Sequence, residues 1–294
     1  MYVVIVFVVF QILRQKYYKT SATEYDAVFE WHILSQEIVK VGILIQRKAN
    51  MKKEIENTND TSVSQLDELI STCMQSGLTI IGGRPGTGKT SLLLDIVSRA
   101  LLKNQPTPTL IFSLEMTKEQ TVSRLLKVKE DAYQEEHLEF LHIEDTCLPS
   151  KDIRQPSILD ISSKIKSLND SLDKKLGLIA IDYLQLIGSV NKNNPRKEEV
   201  VEILKTLKAL AKDLNIPIIS SAHVYRYEGT KPNIDDFRID NIEQHTDSIV
   251  LLNVVGRDHK LKKRIIEADV LRNNKVETFN LIFNCTKITF ENIE

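Results

Sequence analysis

Cysteine is scarce in this sequence, neither charge is in excess, and no apolar run is long enough to cross a bilayer. The three cysteines, Cys73, Cys147 and Cys285, are far apart and lack the close spacing of zinc ligands. This usage excludes a disulfide-stapled scaffold and indicates a reducing compartment, either the cytoplasm or an organelle stroma, while leaving a single disulfide open. With 294 residues, 42% hydrophobic and 27% charged, the chain has the composition of an ordinary globular protein.

The lack of a charge excess limits how a polyanion could bind. Because 39 Lys and Arg residues balance 40 Asp and Glu residues, no global positive field attracts nucleic acid, and any polyanion must be held locally. The densest basic cluster consists of Lys260, Lys262, Lys263 and Arg264, a run more typical of a solvated hairpin tip than of a DNA contact. The sparse aromatic residues form no base-stacking series, so DNA binding would rest mainly on phosphate contacts.

Only residues 2–13 raise the question of a membrane. This apolar stretch is shorter than the roughly 20 residues that a spanning helix needs. It also lacks the basic start and the small cleavage-site residues of a secretory signal. We expect it to pack on the body of the protein or on a neighbouring subunit, with a membrane anchor as the alternative, and we expect no membrane partner.

The pattern of apolar residues divides the chain into an extension, residues 1–62, and a main domain, residues 63–294. Residues 18–56 have helical periodicity, and the polar run at 57–62 is typical of a linker. Beyond it, brief Ile-, Val- and Leu-rich runs predict buried parallel strands at 78–81, 110–114, 178–181, 216–220 and 249–252. A helix is predicted over 198–214, and the runs at 264–271, 278–283 and 287–290 should extend the sheet at one edge. The fold class is therefore α/β, a mainly parallel sheet flanked by helices, with a helical N-terminal extension.

Glycine is concentrated at one loop, since five of the ten glycines lie between Gly77 and Gly88. The loop lies between a predicted strand and a predicted helix and has the full P-loop pattern: Gly83, Arg84, Pro85, Gly86, Thr87, Gly88, Lys89, Thr90 and Ser91. Backbone N–H groups, the helix N-terminus and the Lys89 ammonium would bind the phosphates of a nucleotide, and Thr90 would offer its hydroxyl to Mg²⁺. The alternative is a glycine-rich turn that binds nothing.

Two carboxylates follow predicted strands and could complete this site. Asp182 comes directly after a buried run, where it could hold the metal, or cap the next turn. Glu115 follows another strand, at the carboxyl edge where ligands of open α/β folds bind. It is the candidate base for the attacking water, and a solvated loop glutamate is the alternative.

Several segments together resemble the ATPase domain of the DnaB family of replicative helicases. They are the P-loop, Ser-Leu-Glu-Met at 113–116, Asp-Tyr-Leu-Gln-Leu at 182–186, Asn-Pro-Arg-Lys-Glu-Glu at 194–199 and the Leu- and Lys-rich helix after it. The resemblance covers the chain from about residue 64 onward. It implies a RecA-like P-loop fold, a homo-hexameric ring around single-stranded DNA, ATP and Mg²⁺ at subunit boundaries, and strand separation by translocation.

The resemblance also implies roles for individual residues. Glu115 becomes the water-activating carboxylate and Asp182 the metal-side carboxylate. His223 stands near the place of a phosphate-sensing glutamine, where a neutral imidazole can still donate one hydrogen bond. Arg238 matches a DNA phosphate contact, in a loop that is one residue shorter than the family's. Arg272 matches the arginine finger, which acts on the neighbouring subunit's site.

Four departures leave other functions open: His223, the shortened loop and the two that follow. Val270 replaces a family lysine beside the finger, so one trans cation remains instead of two. Residues 1–62 are too few for both the family's primase-binding collar and its linker helix. Residues 24–48 could form the linker helix, and no primase interaction is expected. The alternatives to a helicase are a nucleotide-dependent binding or regulatory ATPase without unwinding activity and, on weaker grounds, a recombinase.

Overall fold

The computed structural model describes residues 64–128, 133, 135–145, 156–189, 195–225 and 231–293. The predicted extension at 1–62, with its apolar start and its linker helix, lies outside the described residues, as does Cys147. The division of the chain at residue 62 therefore stays a prediction.

The described chain alternates strands and helices and then ends in three further strands. Its helices are α1 (Gln65–Cys73), α2 (Lys89–Leu101), α3 (Lys118–Val128), α4 (Glu135–Leu138), α5 (Ile158–Ser171) and α6 (Arg196–Leu214). Its strands are β1 (Gly77–Gly83), β2 (Thr109–Ser113), β3 (Leu141–Glu144), β4 (Leu178–Asp182), β5 (Pro217–His223), β6 (Ser248–Asp258), β7 (Lys263–Arg272), β8 (Lys275–Asn284) and β9 (Thr289–Asn292). Short 3-10 helices occupy Leu184–Leu186, Ile234–Phe237 and Ile242–Gln244.

All nine strands form one sheet in the order β3-β2-β4-β5-β1-β6-β7-β8-β9. The six strands from β3 to β6 pair in parallel, whereas β6 to β9 pair antiparallel. The α/β class and the C-terminal extension of the sheet are thus confirmed. The sheet is mixed because the last strands are joined by short hairpins, which can connect only antiparallel neighbours.

The two faces of the sheet bury separate apolar clusters. Side chains of α5 and α6 pack on one face, with Leu78 and Ile80 of β1. On the other face α1 and α2 pack with Ile81 of β1 and with alternate residues of β7 and β8. Strands covered on both faces need apolar residues at every position, which is why the parallel strands read as continuous Ile, Val and Leu runs.

Neither the edge strand β3 nor the first helix of this fold was predicted from sequence patterns. The strand β3 is at the edge of the sheet, and all four of its residues are only half-buried. Its short sequence has two polar residues and no long apolar run, so the spacing of apolar residues does not reveal the strand. The helix α1 escaped prediction too, although Ser64 caps it by accepting a hydrogen bond from the backbone N–H of Asp67. Among the described residues, no helix has the length and apolar character of a membrane span.

Candidate nucleotide-binding site

The loop between β1 and α2 is shaped by glycines where no other residue fits. Gly86 and Gly88 have φ values of 76° and 98°, in the left-handed region that disfavours side chains. A Cβ at Gly83 would lie 2.5 Å from the Thr87 hydroxyl, and one at Gly88 would lie 2.9 Å from the Phe290 ring. The backbone therefore makes a close turn at the N-terminus of α2, which begins at Lys89. The other predicted loop residues, Arg84, Pro85 and Ser91, lie in this turn or in the first turn of the helix.

Lys89 points back into the loop. Its ammonium donates to the backbone carbonyl oxygens of Gly83 at 2.9 Å and Arg84 at 3.1 Å, and the residue is only 7% exposed. Burial lowers the pKa of Lys89 to about 8, although the carboxylates of Asp182 and Glu115 act in the opposite direction. The ammonium is thus shielded from solvent. It lies next to two backbone carbonyls of the loop that is predicted to bind phosphate.

Asp182 lies at the end of β4 and contacts the first turn of α2. The Thr90 hydroxyl donates to one of its carboxylate oxygens at 2.9 Å, and the Ser221 hydroxyl donates to the other. Asp182 is 4% exposed. The two residues predicted to hold the metal therefore lie in direct contact. Ser221 was not predicted as a site residue, although a serine pair in a buried apolar strand signals a polar partner nearby.

Glu115 lies on the loop after β2, at the same sheet edge. The strands β2 and β4 pair so that Ser113 is opposite Asp182, and the Leu114 N–H donates to the Asp182 carbonyl oxygen at 2.8 Å. Glu115 follows directly and is solvent-exposed. Its negative charge acts to raise the pKa of both Lys89 and Tyr183. The loop position therefore brings an exposed carboxylate within electrostatic range of the P-loop lysine.

His223 ends β5, paired with Gly83 of the P-loop strand. Its ring makes an edge-to-face contact with Tyr183, with ring centroids 4.5 Å apart. Burial lowers the pKa of His223, and the Lys89 charge lowers it further while Asp182 opposes the shift, so the imidazole is neutral at pH 7. The side-chain amide of Gln185 holds the His223 backbone at both ends, donating to its carbonyl oxygen at 2.9 Å and accepting from its N–H at 3.2 Å.

Arg264, which the sequence placed in a solvated basic cluster, contacts the P-loop instead. Its guanidinium donates to the Gly86 carbonyl oxygen. Lys263 forms an ion pair with Glu291 of β9 at 2.8 Å. The cluster does lie at the tip of the hairpin between β6 and β7, with Lys260 and Lys262 in the exposed turn and β7 beginning at Lys263. Strand pairing between β6 and β7 places this end of β7 at the carboxyl edge of the sheet, beside the P-loop.

Arg272 lies level with the amino-terminal ends of the parallel strands, whereas the P-loop of its own chain lies at their carboxyl-terminal ends. It pairs with Ser248, whereas Gly83 is aligned with Leu252 four residues further along β6. That offset is about 13 Å along the strands and about 10 Å across them, beyond the reach of an arginine side chain. Val270 is 2% exposed, and its side chain packs in the apolar cluster of its own chain.

Arg238, the predicted DNA contact, is exposed on the loop between β5 and β6. Its guanidinium carbon lies 3.8 Å from the ring centre of Tyr225. The predicted DNA contact therefore lies against the face of an aromatic ring, two residues beyond His223 in the sequence.

The residues at this edge fit a nucleotide with Mg²⁺. The turn has no room for a Cβ at Gly83 and holds a buried ammonium, which suits a group of close-packed phosphate oxygens. Thr90 and Asp182 offer a hydroxyl and a carboxylate side by side, and oxygen ligands of this kind are those that Mg²⁺ prefers.

Comparison with known proteins gives one consistent family. The sequence profile described as the DnaB-like helicase C terminal domain matches residues 59–292. Replicative DNA helicase DnaB of Geobacillus stearothermophilus is 31% identical over 259 residues, covering 80% of this chain and 56% of that protein. The Rickettsia prowazekii DnaB is 30% identical over 287 residues, 86% of this chain and 58% of that protein. The chain thus spans about half the length of these curated relatives.

Solved structures agree on the fold. A structure described as an ATPase domain superposes with a TM-score of 0.63 at 21% identity, covering 85% of this chain and 99% of that one. A DnaB-like replicative helicase, studied with its interactions with primase, gives a TM-score of 0.63 at 22% identity, covering 85% of this chain and 66% of that one.

Proposed function

The chain belongs to the family of DnaB-like helicase C terminal domains, and from this membership we propose that it is an ATP-hydrolysing motor that moves along single-stranded DNA. We propose further that it works in DNA replication as a homo-hexamer, in the cytoplasm or an organelle stroma. The observation that carries the proposal is the contact of Thr90 with Asp182 beside the buried Lys89 ammonium.

Each side chain at the P-loop edge has a distinct role in this proposal. Lys89 binds the outer phosphates, and Thr90 and Asp182 hold Mg²⁺. Bound Mg²⁺ supplies positive charge against the charge that develops on the phosphate oxygens. Glu115 orients the attacking water and accepts its proton. The neutral His223 donates one hydrogen bond to the terminal phosphate, with its backbone held by Gln185.

Arg272 is proposed to complete the site of a neighbouring subunit. The strand register places it too far from its own P-loop to reach a phosphate there, which supports a role at a phosphate bound to another chain. There its guanidinium would neutralise charge on the transferred phosphoryl group. The proposed hexamer follows from this requirement together with the family membership.

The first experiment measures ATP hydrolysis with and without single-stranded DNA. We expect DNA to stimulate the wild-type rate, Lys89→Ala to weaken nucleotide binding and remove hydrolysis, and Glu115→Gln to bind nucleotide without hydrolysing it. Glu119→Gln, a change to another exposed glutamate in the helix that follows, serves as the matched control. A wild-type rate that ignores DNA would contradict the motor.

A mixing experiment tests the role of Arg272. Lys89→Ala and Arg272→Ala chains should each be inactive alone. Mixed rings contain boundaries where an intact Lys89 meets an intact Arg272, so mixing should restore part of the hydrolysis. Failure of the mixture to recover any activity, under conditions where subunits exchange, would contradict the trans arrangement.

A second function is favoured by the presence of Val270 where the family has a lysine. With no lysine at that position, an intersubunit site would have a single trans cation from this element, which suits a nucleotide-dependent switch that binds ATP and assembles without separating strands. Unwinding of a forked duplex distinguishes the two, since only the motor displaces a strand.

A further inference from the structure

Tyr225 is a large aromatic residue left exposed just beyond the nucleotide site. It stands two residues after His223, at the carboxyl end of β5, and is 47% exposed. The guanidinium carbon of Arg238 lies over its ring, 3.8 Å from the ring centre. The pair thus combines an aromatic ring with a delocalised positive charge, while nearly half of the tyrosine remains open to solvent.

The pair is held by short, rigid connections. The Tyr225 N–H donates to the Asp236 carbonyl oxygen at 2.9 Å, which joins the end of β5 to the loop that carries Arg238. Asp236 is fixed in turn by a reciprocal cap with Asn233, whose side chain accepts from the Asp236 N–H at 3.2 Å. The backbone on both sides of the pair is therefore already held in place, which limits the conformational freedom lost when a ligand binds.

The same loop is anchored on the P-loop strand. Phe237, next to Arg238, is buried and sits above Gly82 so closely that a Cβ there would lie 2.2 Å from the ring. Tyr225 and Arg238 are therefore attached to β5 and β1, the two strands that end in His223 and in the P-loop. A ligand bound on the pair would therefore contact a segment that follows His223 by two residues, and His223 pairs with Gly83 at the start of the P-loop.

The charges around the pair favour a nucleobase over a phosphate as its ligand. Exposed carboxylates of Asp235, Asp240 and Glu243 line a depression of about 400 Å³ beside Arg238. Lys197 in the same depression forms an ion pair with Asp240 at 3.6 Å. An acidic surrounding weakens the attraction for a phosphate, whereas stacking on an aromatic ring and a guanidinium plane does not depend on net charge.

We propose that Tyr225 and Arg238 form a stacking platform for one nucleobase of single-stranded DNA. The inference rests on the proposed function and deepens it. It adds a base contact to the expectation from sequence that DNA binding would rest mainly on phosphate contacts. Because every base has an aromatic face, the platform accepts any sequence, as a motor that moves along DNA requires.

The experiment compares two labelled oligonucleotides of equal length, oligo-dT and a fully abasic strand with the same phosphates, by fluorescence anisotropy with a non-hydrolysable ATP analogue. Tyr225→Ala should weaken oligo-dT binding about 5- to 150-fold and leave the abasic strand unaffected. Tyr225→Phe keeps the ring and should bind both strands like the wild type. Arg238→Ala should weaken both strands, because it removes a charge as well as a stacking surface.

The remaining outcomes separate the platform from the motor. Leu261→Ala removes another exposed apolar side chain, at the hairpin between β6 and β7, and should change neither affinity. If Tyr225→Ala weakened both strands equally, Tyr225 would only position Arg238 and the platform would be overturned. If it weakened neither, while the wild type binds oligo-dT, the platform alone would fail. If the wild type bound neither strand, the proposed function would fail as well.

Discussion

Nucleotide affinity should fall as the pH rises above 8, because one buried group in the phosphate site loses its proton there. Burial lowers the pKa of the Lys89 ammonium to about 8, against an ordinary lysine value of 10.5. Binding of a phosphate brings negative charge to the ammonium and raises its pKa again. Protonated Lys89 is therefore the form that binds, and at high pH the free site must take up a proton when the nucleotide enters.

The expected size of the drop in nucleotide affinity follows from the fraction of Lys89 that is protonated. With a pKa of about 8, that fraction is about three-quarters at pH 7.5 and about one-eleventh at pH 9.0, so affinity should drop about eightfold between them. Titration with a fluorescent ATP analogue across this range measures the drop. Calorimetry in two buffers of different ionisation enthalpy should detect about half a proton taken up per nucleotide at pH 8.

Lys89→Met provides the control because it removes the only group to which the shift is assigned. This variant should bind weakly at every pH and show no slope between pH 7.5 and 9.0. A slope that persists in Lys89→Met would assign the titration to another group. A flat wild-type profile would mean that the ammonium keeps its ordinary pKa, and the burial argument would be refuted.

Three further substitutions test the packing and the metal site. Gly82→Ala should lower the free energy of unfolding by about 1–3 kcal/mol in chemical denaturation, because the new Cβ collides with the Phe237 ring, and Phe237→Leu in the same chain should recover part of the loss. Val270→Lys buries a charge and should cost about 3–5 kcal/mol, whereas Val276→Lys, at an exposed position, should stay within about 0.5 kcal/mol. Asp182→Asn should abolish the Mg²⁺-dependent gain in nucleotide affinity and reduce hydrolysis at least about 100-fold, while metal-free binding persists.

Most of the parallel sheet was predictable because its strands are buried on both faces. Burial on both sides forces continuous apolar runs, and such runs are visible in β1, β2, β4 and β5 without any knowledge of their partners. The edge strand β3 has one free side and escapes this constraint. Its position depends on pairing with β2, which is a long-range property that no local pattern contains.

The residues of the candidate site likewise divide into those that local sequence predicts and those that depend on long-range strand pairing. Lys89, Thr90 and Asp182 follow from local context, since each stands at the end of a strand or the start of a helix with a recognisable sequence. The contact of Arg264 with Gly86 depends on the register of the β6–β7 hairpin, which contains a bulge between Val254 and Gly256. A shift of one residue would turn Arg264 to the other face, and the sequence alone does not determine that register.

If Lys89 of one chain and Arg272 of another act in the same site, their positions limit how the subunits can assemble. Lys89 and Arg272 lie at opposite edges of one sheet, so a site that uses both must join the carboxyl edge of one chain to the amino edge of the next. An interface between unlike edges is heterologous, and it leaves one free edge of each kind on every dimer. A two-fold dimer uses the same surface on both chains and cannot satisfy this requirement. Repetition of the contact must either close into a ring or continue as a filament, and only closure gives every P-loop an Arg272 from its neighbour.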